Sequence, residues 1–251
     1  MKDVNILKNN GVNVEKSLEL FGDMETYDET LETFLNEINE KINNIKKYKE
    51  IADMASYAIL VHSLKSDAKY FGFDKLAELS YNHELESKAN HIYYIYDHFD
   101  ELMDETDRIL NIVRQYLGKE VIKKEEVIVN KDKTILVVDD SEVISTFIKK
   151  LFNNEYNVVL AKDGMEAINN LDNESIVGML LDLNMPNVNG FVVLEYMSKN
   201  NLFNKIPVSI ITGVGNDDIV KKTFEYPIVD VLRKPFNERD IRKVVEKTIK
   251  L

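Results

Sequence analysis

The chain has 251 residues, 44% of them hydrophobic, with only 9 glycines, 4 prolines and no cysteine. Such a composition predicts a folded, helix-rich protein of one large or two modest domains, and it excludes disulfides and thiolate metal sites. The net charge of −12 lies mostly in the first half, where residues 1–118 carry 13 Lys+Arg against 23 Asp+Glu, while residues 133–251 carry 15 against 17. No basic face remains to displace counterions from a polyanion, which argues against nucleic acid as a partner. The acidic half favours a partner with some positive surface. No apolar run is long enough to cross a bilayer or to act as a secretory leader, so a cytoplasmic protein without membrane insertion is expected.

Taken in chain order, the first half reads as helix throughout. Apolar residues recur at three- and four-residue steps over Tyr27–Ile51, Met54–Phe71, Asp74–Ala89 and Ile92–Leu117, with a shorter helix around Val14–Leu20. In the last long segment Ile95, Phe99, Leu102, Met103, Leu110, Val113 and Leu117 can share one face. The breaks are short, which predicts antiparallel neighbours and hence a four-helix bundle over residues 1–118. Gly118 ends the last helix, and the charged stretch 119–132 predicts a linker. As a flexible coil it would span roughly 20 Å.

Beyond Lys133 the rhythm changes. Short β-branched runs at Thr134–Val138, Asn157–Leu160, Val177–Leu181, Ile206–Ile211 and Ile228–Leu232 alternate with helical stretches, ending in a helix at Asn237–Lys250. Residues 133–251 are therefore expected to form a doubly wound, five-stranded parallel sheet. In such a sheet the strands' carboxyl ends share one rim. The first strand ends in Asp139 and Asp140, the third in Asp182, the fourth in Thr212 and the fifth in Lys234-Pro235. Three carboxylates brought together need a cation, and hard oxygen ligands suit Mg2+. Asp182 is then placed to attack phosphorus and become an acyl phosphate, with the metal, Thr212 and Lys234 neutralising the phosphoryl oxygens. Singly, an Asp pair at a strand end often only caps a helix, as Ser141 also can, and a lone Thr or Lys there usually does nothing. The combination is what points to chemistry.

The runs ILVVDDSE, LLDLNMPNVNG, VSIITG and LRKPF resemble, in order, the response-regulator receiver domain of two-component signalling, a flavodoxin-like fold. The resemblance covers residues 133–251. It implies phosphorylation of Asp182, magnesium binding by Asp140, Asp182 and the backbone carbonyl of Asn184 with Asp139 assisting through water, a phosphoryl-responsive Thr212, a pairing Lys234, and a cis Lys234–Pro235 bond. Met185-Pro186 and Gly190 would shape the loop after the acceptor. Val231 stands where the family usually carries an aromatic that turns inward on activation, so the usual threonine–aromatic coupling cannot operate in its ordinary form.

Among His62, His83, His91 and His98, the last three are read as ordinary surface or packed residues. His62 lies in YAILVHSLKSDAKYFG. There Leu60, Val61, Leu64, Ala68 and Phe71 can supply a buried side, while His62, Lys65, Ser66 and Lys69 share a wetter face. Ala58 and Ile59 would add an apolar patch beside the imidazole. Lys65 and Lys69 supply positive charge, and Ser66 is too small to block an approaching partner. An amphipathic helix with incidental lysines is the plain alternative. The run resembles the histidine phosphotransfer domain through His62, Leu64, Lys65, Ser66 and Gly72, and the next helix, LAELSYNHELESKA, is similar too. By that resemblance His62 is the phosphoacceptor and Lys65 assists it, with Ser66 where glycine is common.

The expectation is thus a phosphorelay protein passing phosphoryl groups between His62 and Asp182. It is not itself an enzyme, since no Gly-rich ATP lid is visible beyond Gly213-Val214-Gly215. A separate histidine kinase would feed it, and other receiver or phosphotransfer proteins could be further partners. No output domain is expected after the last helix. One alternative makes the helical half only a docking or dimerisation scaffold. Another, an aspartyl-phosphate hydrolase of the haloacid dehalogenase type, wants a second aspartate where this chain has Asn184, and its nucleophile on the first strand.

Overall fold

The structure, a computed structural model, describes residues 2–122, 132–213 and 217–250. The chain divides into two compact units, Met1–Glu126 and Val127–Leu251. Most of the stretch expected as a linker, residues 123–131, lies outside the described residues, as do Val214 and Gly215 of the Gly-Val-Gly run.

The first unit is helical: α1 (Asn5–Lys8), α2 (Val14–Phe21), α3 (Met24–Glu50), α4 (Met54–Tyr70), α5 (Asp74–Lys88) and α6 (Ile92–Tyr116). Side-chain caps explain the starts of three of them. Asn13, Asp23 and Asp53 accept from the backbone N–H of Lys16, Thr26 and Ser56, satisfying donors that the first turn leaves open. The Asp23 cap starts α3 at Met24, three residues before the start that apolar spacing indicates. The short α1 has too few residues to show a period, and the sequence pattern does not announce it. Helix α4 packs against α3 and α5, α5 against α6, and α6 against α3. Their apolar stripes form one core, in which Phe34, Phe71 and Phe73 stand ring to ring at 5.0–6.0 Å. Gly72, in the α4–α5 turn, has a φ of 73°, and a Cβ there would lie 2.3 Å from the carbonyl oxygen of Asn13. That carbonyl belongs to the α2 cap, and Asn13 N–H donates back to Gly72 O at 2.8 Å. Only glycine admits this crossing.

Past the end of α6 the chain doubles back. Asn111 donates to the Ile122 carbonyl at 2.9 Å and accepts from its N–H at 3.1 Å, while Lys119 pairs with Glu32 at 2.7 Å. Residues 119–122, expected to begin the linker, are therefore tied to the helical unit.

The second unit contains β1 (Thr134–Val138), α7 (Glu142–Phe152), β2 (Asn157–Ala161), α8 (Gly164–Asn170), β3 (Ile176–Asp182), α9 (Gly190–Lys199), β4 (Val208–Thr212), α10 (Asp217–Thr223), β5 (Val231–Arg233) and α11 (Glu238–Ile249). All pairings are parallel, in the order β2-β1-β3-β4-β5. Every residue of β1 and β4 is buried, as a sheet covered on both faces requires. Helices α8 and α9 close one core with Leu136, Val138, Met179, Leu181, Val208 and Ile210. Helix α11 lies against β3, β4 and β5, and α7 against β1 and β2. Deep in the α11 contact the hydroxyls of Ser209 and Thr248 pair at 2.6 Å, so neither is left unsatisfied. Strand β5 is shorter than the expected Ile228–Leu232. Val229 N–H and the Asp230 carbonyl reach β4, but the Asp230 side chain bends back to accept from Val231 N–H at 2.9 Å, and regular pairing begins only there.

Because β1 pairs with β2 on one side and β3 on the other, the chain leaves these neighbours in opposite directions, opening a cleft beyond their carboxyl ends.

Candidate functional site

Two of the acidic tips come from β1 and β3 and face that cleft. Asp139 and Asp182 are buried, Asp140 is exposed, and one carboxylate oxygen from each lies within 4.8 Å of the others. Lys234, reaching in from the end of β5, places Nζ 2.7 Å from Asp139 Oδ2 and 2.5 Å from Asp182 Oδ2. The contact with Asp182 is a hydrogen bond. The contact with Asp139 is an ion pair outside hydrogen-bond geometry, for Asp139 Oδ2 takes no hydrogen bond among the described residues. Burial pushes the Asp139 carboxyl above its ordinary range, with Lys234 partly countering. Burial would lower the Lys234 ammonium, yet its two carboxylate partners hold it above the usual lysine range.

Backbone fixes the remaining oxygens. Ser141 N–H donates to Asp139 Oδ1 and Asn184 N–H to Asp182 Oδ1, both at 2.9 Å. Asn184 follows Asp182 by two residues, in the exposed loop before α9. Thr212 ends β4 fully buried. Its Oγ1 lacks a partner among the described residues, while its carbonyl accepts from Lys234 N–H at 2.7 Å. The Lys234–Pro235 bond is cis. Val231 is half-buried and packs against the sheet's core cluster, so an aliphatic side chain fills the aromatic position.

The loop from Leu183 to Asn189 is held at both ends. Gly190 N–H donates to Leu183 O at 3.2 Å, and Val188 O accepts from Gly164 N–H at 2.9 Å. A Cβ on Gly190 would come within 2.4 Å of the Asp182 carbonyl oxygen. Backbone cannot yield as a side-chain tip can. Gly190→Ala is therefore expected to cost about 3 kcal/mol or more of receiver-unit stability, measured by urea unfolding; an unchanged midpoint would contradict the close packing.

The helical unit presents a second constellation. His62 is 56% exposed at its side chain, and its Nδ1 lies 2.8 Å from Glu84 Oε1 on α5. Lys65 and Lys88 each approach Glu84 to 2.5 Å. Ser66 donates to the His62 carbonyl at 3.1 Å, and Lys69 is exposed. The expected shared face of His62, Lys65, Ser66 and Lys69 thus divides: Lys65 turns toward α5, under the Tyr81 ring at 5.4 Å. Leu60 is only half-buried, and of the two apolar neighbours Ala58 is buried whereas Ile59 is 70% exposed. A groove of about 620 Å³ runs beside the imidazole, lined by Met54, Ala58, Ile59, Ser87 and Lys88 among others. Glu84 and Lys88 escape sequence reasoning, since an i,i+4 Glu–Lys pair reads as an ordinary solvated helix face.

The other histidines differ among themselves. His91 pairs with Glu86 at 2.6 Å and His98 stacks on Tyr94 at 4.0 Å. His83 is buried, with Nδ1 2.7 Å from Tyr57 Oη and Nε2 3.3 Å from the His98 carbonyl. The carbonyl can only accept, so Nε2 carries the proton and the tyrosine hydroxyl donates to Nδ1. Burial pushes this imidazole down to about 4 from 6.5. The unfolded chain therefore binds a proton that the folded chain refuses. The contribution is complete above about pH 6.5 and is lost as pH falls toward 4, by up to about 3 kcal/mol. Denaturant unfolding across that range should show the loss, and a His83→Gln chain should give a flatter profile; parallel profiles would refute the assignment.

Comparison with known proteins follows the same division. The family model of the response regulator receiver domain matches residues 135–246. Response regulator RR06 of Streptococcus pneumoniae is 35% identical over 104 residues, 41% of this chain and 46% of that protein. Sporulation initiation phosphotransferase F of Bacillus subtilis is 30% identical over 121 residues, 48% of this chain but 96% of that protein. The chain belongs to the response regulator receiver family. Membership rests on the second unit, whose five-stranded parallel sheet with flanking helices is the receiver fold. A solved receiver domain of a putative Luxo repressor protein from Vibrio parahaemolyticus matches 47% of this chain and 90% of its own length at 25% identity, with a TM-score of 0.44. The chain spans less than half the length of the first curated relatives it matches. Among the described residues no helix is long and apolar enough to cross a membrane.

Proposed function

We propose that this protein relays phosphoryl groups, with Asp182 of the receiver domain as one acceptor and His62 of the helical unit as the other. The observation that carries the reading is the gathering of Asp139, Asp140 and Asp182 opposite Lys234 at the carboxyl ends of the strands. Hard carboxylate oxygens, two of them buried, are the donor set that Mg2+ prefers. Asp139, Asp140, Asp182 and the carbonyl of Asn184 would hold it. When bound, the ion supplies charge neutralisation for the phosphoryl oxygens. Asp182 then offers a carboxylate oxygen to phosphorus, Lys234 pairs with the incoming group, and the orphaned hydroxyl of Thr212 donates to it.

The contacts among α3, α4, α5 and α6 support a four-helix bundle of the histidine phosphotransfer kind over residues 1–118, joined by the linker 119–132 to the receiver at 133–251. His62 supports the second acceptor role by its exposure, its carboxylate partner and its place beside an apolar groove. In this reading the protein has no kinase activity of its own. Phosphate arrives from a separate histidine kinase in the cytoplasm, and neither nucleic acid nor the membrane takes part. The name phosphotransferase, carried by the relative that the chain spans almost fully, agrees with a relay. The test is phosphate tracing from a histidine kinase. His62→Gln should abolish acid-labile, base-stable label on the helical unit. If it relays like the parent, the helical unit is only a scaffold.

A further inference from the structure

The place where the chain leaves the helical unit is fixed by side chains. Gly118 turns it at the end of α6 with a φ of 70°, a conformation that glycine takes at little cost. Lys119 N–H then donates to the Arg114 carbonyl at 2.8 Å, and the Lys119 ammonium pairs with Glu32 of α3 at 2.7 Å. Three residues on, the Asn111 side chain both donates to and accepts from the Ile122 backbone. Ile122 thereby joins Asn39 and Asn43 of α3 and Arg108 of α6 in lining the groove between these two helices. The start of the linker is clasped to the outside of the α3–α6 pair.

His62 opens on the other side. Helix α3 packs against α4 and α6, and α5 packs against the same two, so the α3–α6 pair and the α4–α5 pair form opposite faces. The imidazole lies on the α4–α5 face, beside Glu84 and the groove that reaches Ser87 and Lys88. The heights agree as well. Lys41 of α3 donates to Ser63, next to His62, at 2.8 Å, and Asn39 and Asn43 on either side of Lys41 line the groove that holds Ile122. The separation is therefore the full thickness of the helices.

Eleven peptide steps lead from Ile122 to Lys133, the residue before β1. Whatever course they follow, they cover at most about 3.6 Å each, roughly 40 Å in all. Helix axes pack about 8–10 Å apart and a helix with side chains is about 10–12 Å across, so two layers are roughly 20 Å thick. Going round them from the middle of one face to the middle of the other takes roughly 40 Å by itself. The receiver adds to this. Asp182 ends β3 on the carboxyl rim, and a strand rises about 3.3 Å per residue, so Lys133 stands roughly 20 Å behind the rim. With that rim against His62, the tether would have to cover roughly 50 Å. It falls short.

We infer that the clasp at Asn111 and Lys119 keeps His62 and Asp182 of one chain apart, so that phosphoryl groups pass between them only in trans, from one molecule to another. The inference rests on the relay proposed above and adds between which molecules it runs. A tether too short to span two sites gives an effective concentration near zero. The transfer itself is balanced. The N–P bond on one chain's imidazole breaks with its electron pair returning to the ring, while a carboxylate oxygen of another chain's Asp182 forms the new P–O bond. The ring keeps its own N–H and leaves neutral, so no proton crosses.

The restraint is reversible. Tyr27 bonds the Phe71 carbonyl and Tyr116 bonds Asp28, so the α4–α5 turn and the end of α6 share one end of the unit. A tether freed from Asn111 and Glu32 starts there, at Gly118, fifteen steps from Lys133. It then covers up to roughly 54 Å and crosses beneath the helices, roughly 20 Å, instead of circling them. Opening the clasp would admit transfer within one chain.

The test uses full chains. His62 is labelled with phosphoramidate without Mg2+, the donor is removed, and added Mg2+ starts the conversion of base-stable into hydroxylamine-labile label. Labelled Asp182→Asn chains mixed with unlabelled His62→Gln chains should transfer within about twofold of the parent's rate at equal site concentrations. A parent more than about tenfold faster than the mixture overturns the inference, because its two sites then meet within one chain. In the chain carrying both Asn111→Ala and Lys119→Ala, with the thermal midpoint followed in parallel, dilution should expose a concentration-independent phase that the parent lacks. If this variant slows on dilution as the parent does, the clasp is not what separates the sites, and the inference falls. If label never leaves His62 for any Asp182, although each site can be labelled separately, the relay reading itself falls; fast transfer confined to the parent overturns the inference alone.

Discussion

Asp182→Asn is expected to abolish acyl-phosphate formation on the receiver domain while leaving its fold intact. The carboxamide is nearly the same size, and its oxygen can still accept from Asn184 N–H, which now donates to Asp182 Oδ1 at 2.9 Å. What disappears is the charged nucleophile. Lys234 keeps Asp139 as its partner at 2.7 Å, so the substitution leaves no cation stranded and removes one of three mutually repelling charges. Incubation with acetyl phosphate and Mg2+ should add a hydroxylamine-labile phosphoryl group to the parent and none to Asp182→Asn. In a relay from His62, the variant should also accumulate label on the helical unit. Normal hydroxylamine-labile labelling of the variant would sink the assignment of Asp182, and loss of labelling in the parent would sink the receiver chemistry altogether.

The second large effect concerns Lys234. Among the described residues its ammonium is the one cation brought to both Asp139 and Asp182, whose side chains are 0% and 5% exposed. Lys234→Met keeps the length and apolar body of the side chain but leaves two buried carboxylates facing each other. Breaking a buried pair in this way typically costs about 3–5 kcal/mol. With a chelator present, the thermal midpoint of the receiver should drop accordingly. Millimolar Mg2+ should restore much of it, since a divalent ion can neutralise both carboxylates. Phosphoryl acceptance should remain slow even then, by roughly 100-fold, because the group that pairs with the phosphoryl oxygens is gone. A midpoint that ignores both the substitution and the metal would show that Lys234 does not carry the charge balance of the cleft.

Phosphorylation at this site would have to be signalled differently from the family's usual manner. Val231 cannot swing an aromatic ring toward Thr212. The Thr212 hydroxyl is nonetheless buried and unpartnered among the described residues, so a phosphoryl group would be its natural acceptor, and a shift of Thr212 would reach β5 through their backbone pairing, without an aromatic switch.

The parallel strands and the rim of acidic tips were legible from one-dimensional pattern; the order of the strands was read only from the structure. Short β-branched runs that alternate with helical stretches read as strands covered on both faces, and parallel strands joined by helices bring their ends together whatever the helices contain. Asp139, Asp140, Asp182, Thr212 and Lys234 therefore announced themselves by position alone. Helix ends were less legible where a polar cap overrides the apolar period, as Asp23 does for α3, and β5 was shortened by a local bond at Asp230 that no periodicity encodes. What only the tertiary structure decided is which ionisable groups meet across helices. Glu84 lies 22 residues from His62, on a separate helix whose rotation is set by packing of apolar neighbours. Its sequence context is that of any exposed glutamate, yet burial against α4 makes it the partner of a histidine and two lysines. Sequence specifies each helix's faces through local spacing, but the pairing of polar groups between helices depends on the angle and register at which those faces pack.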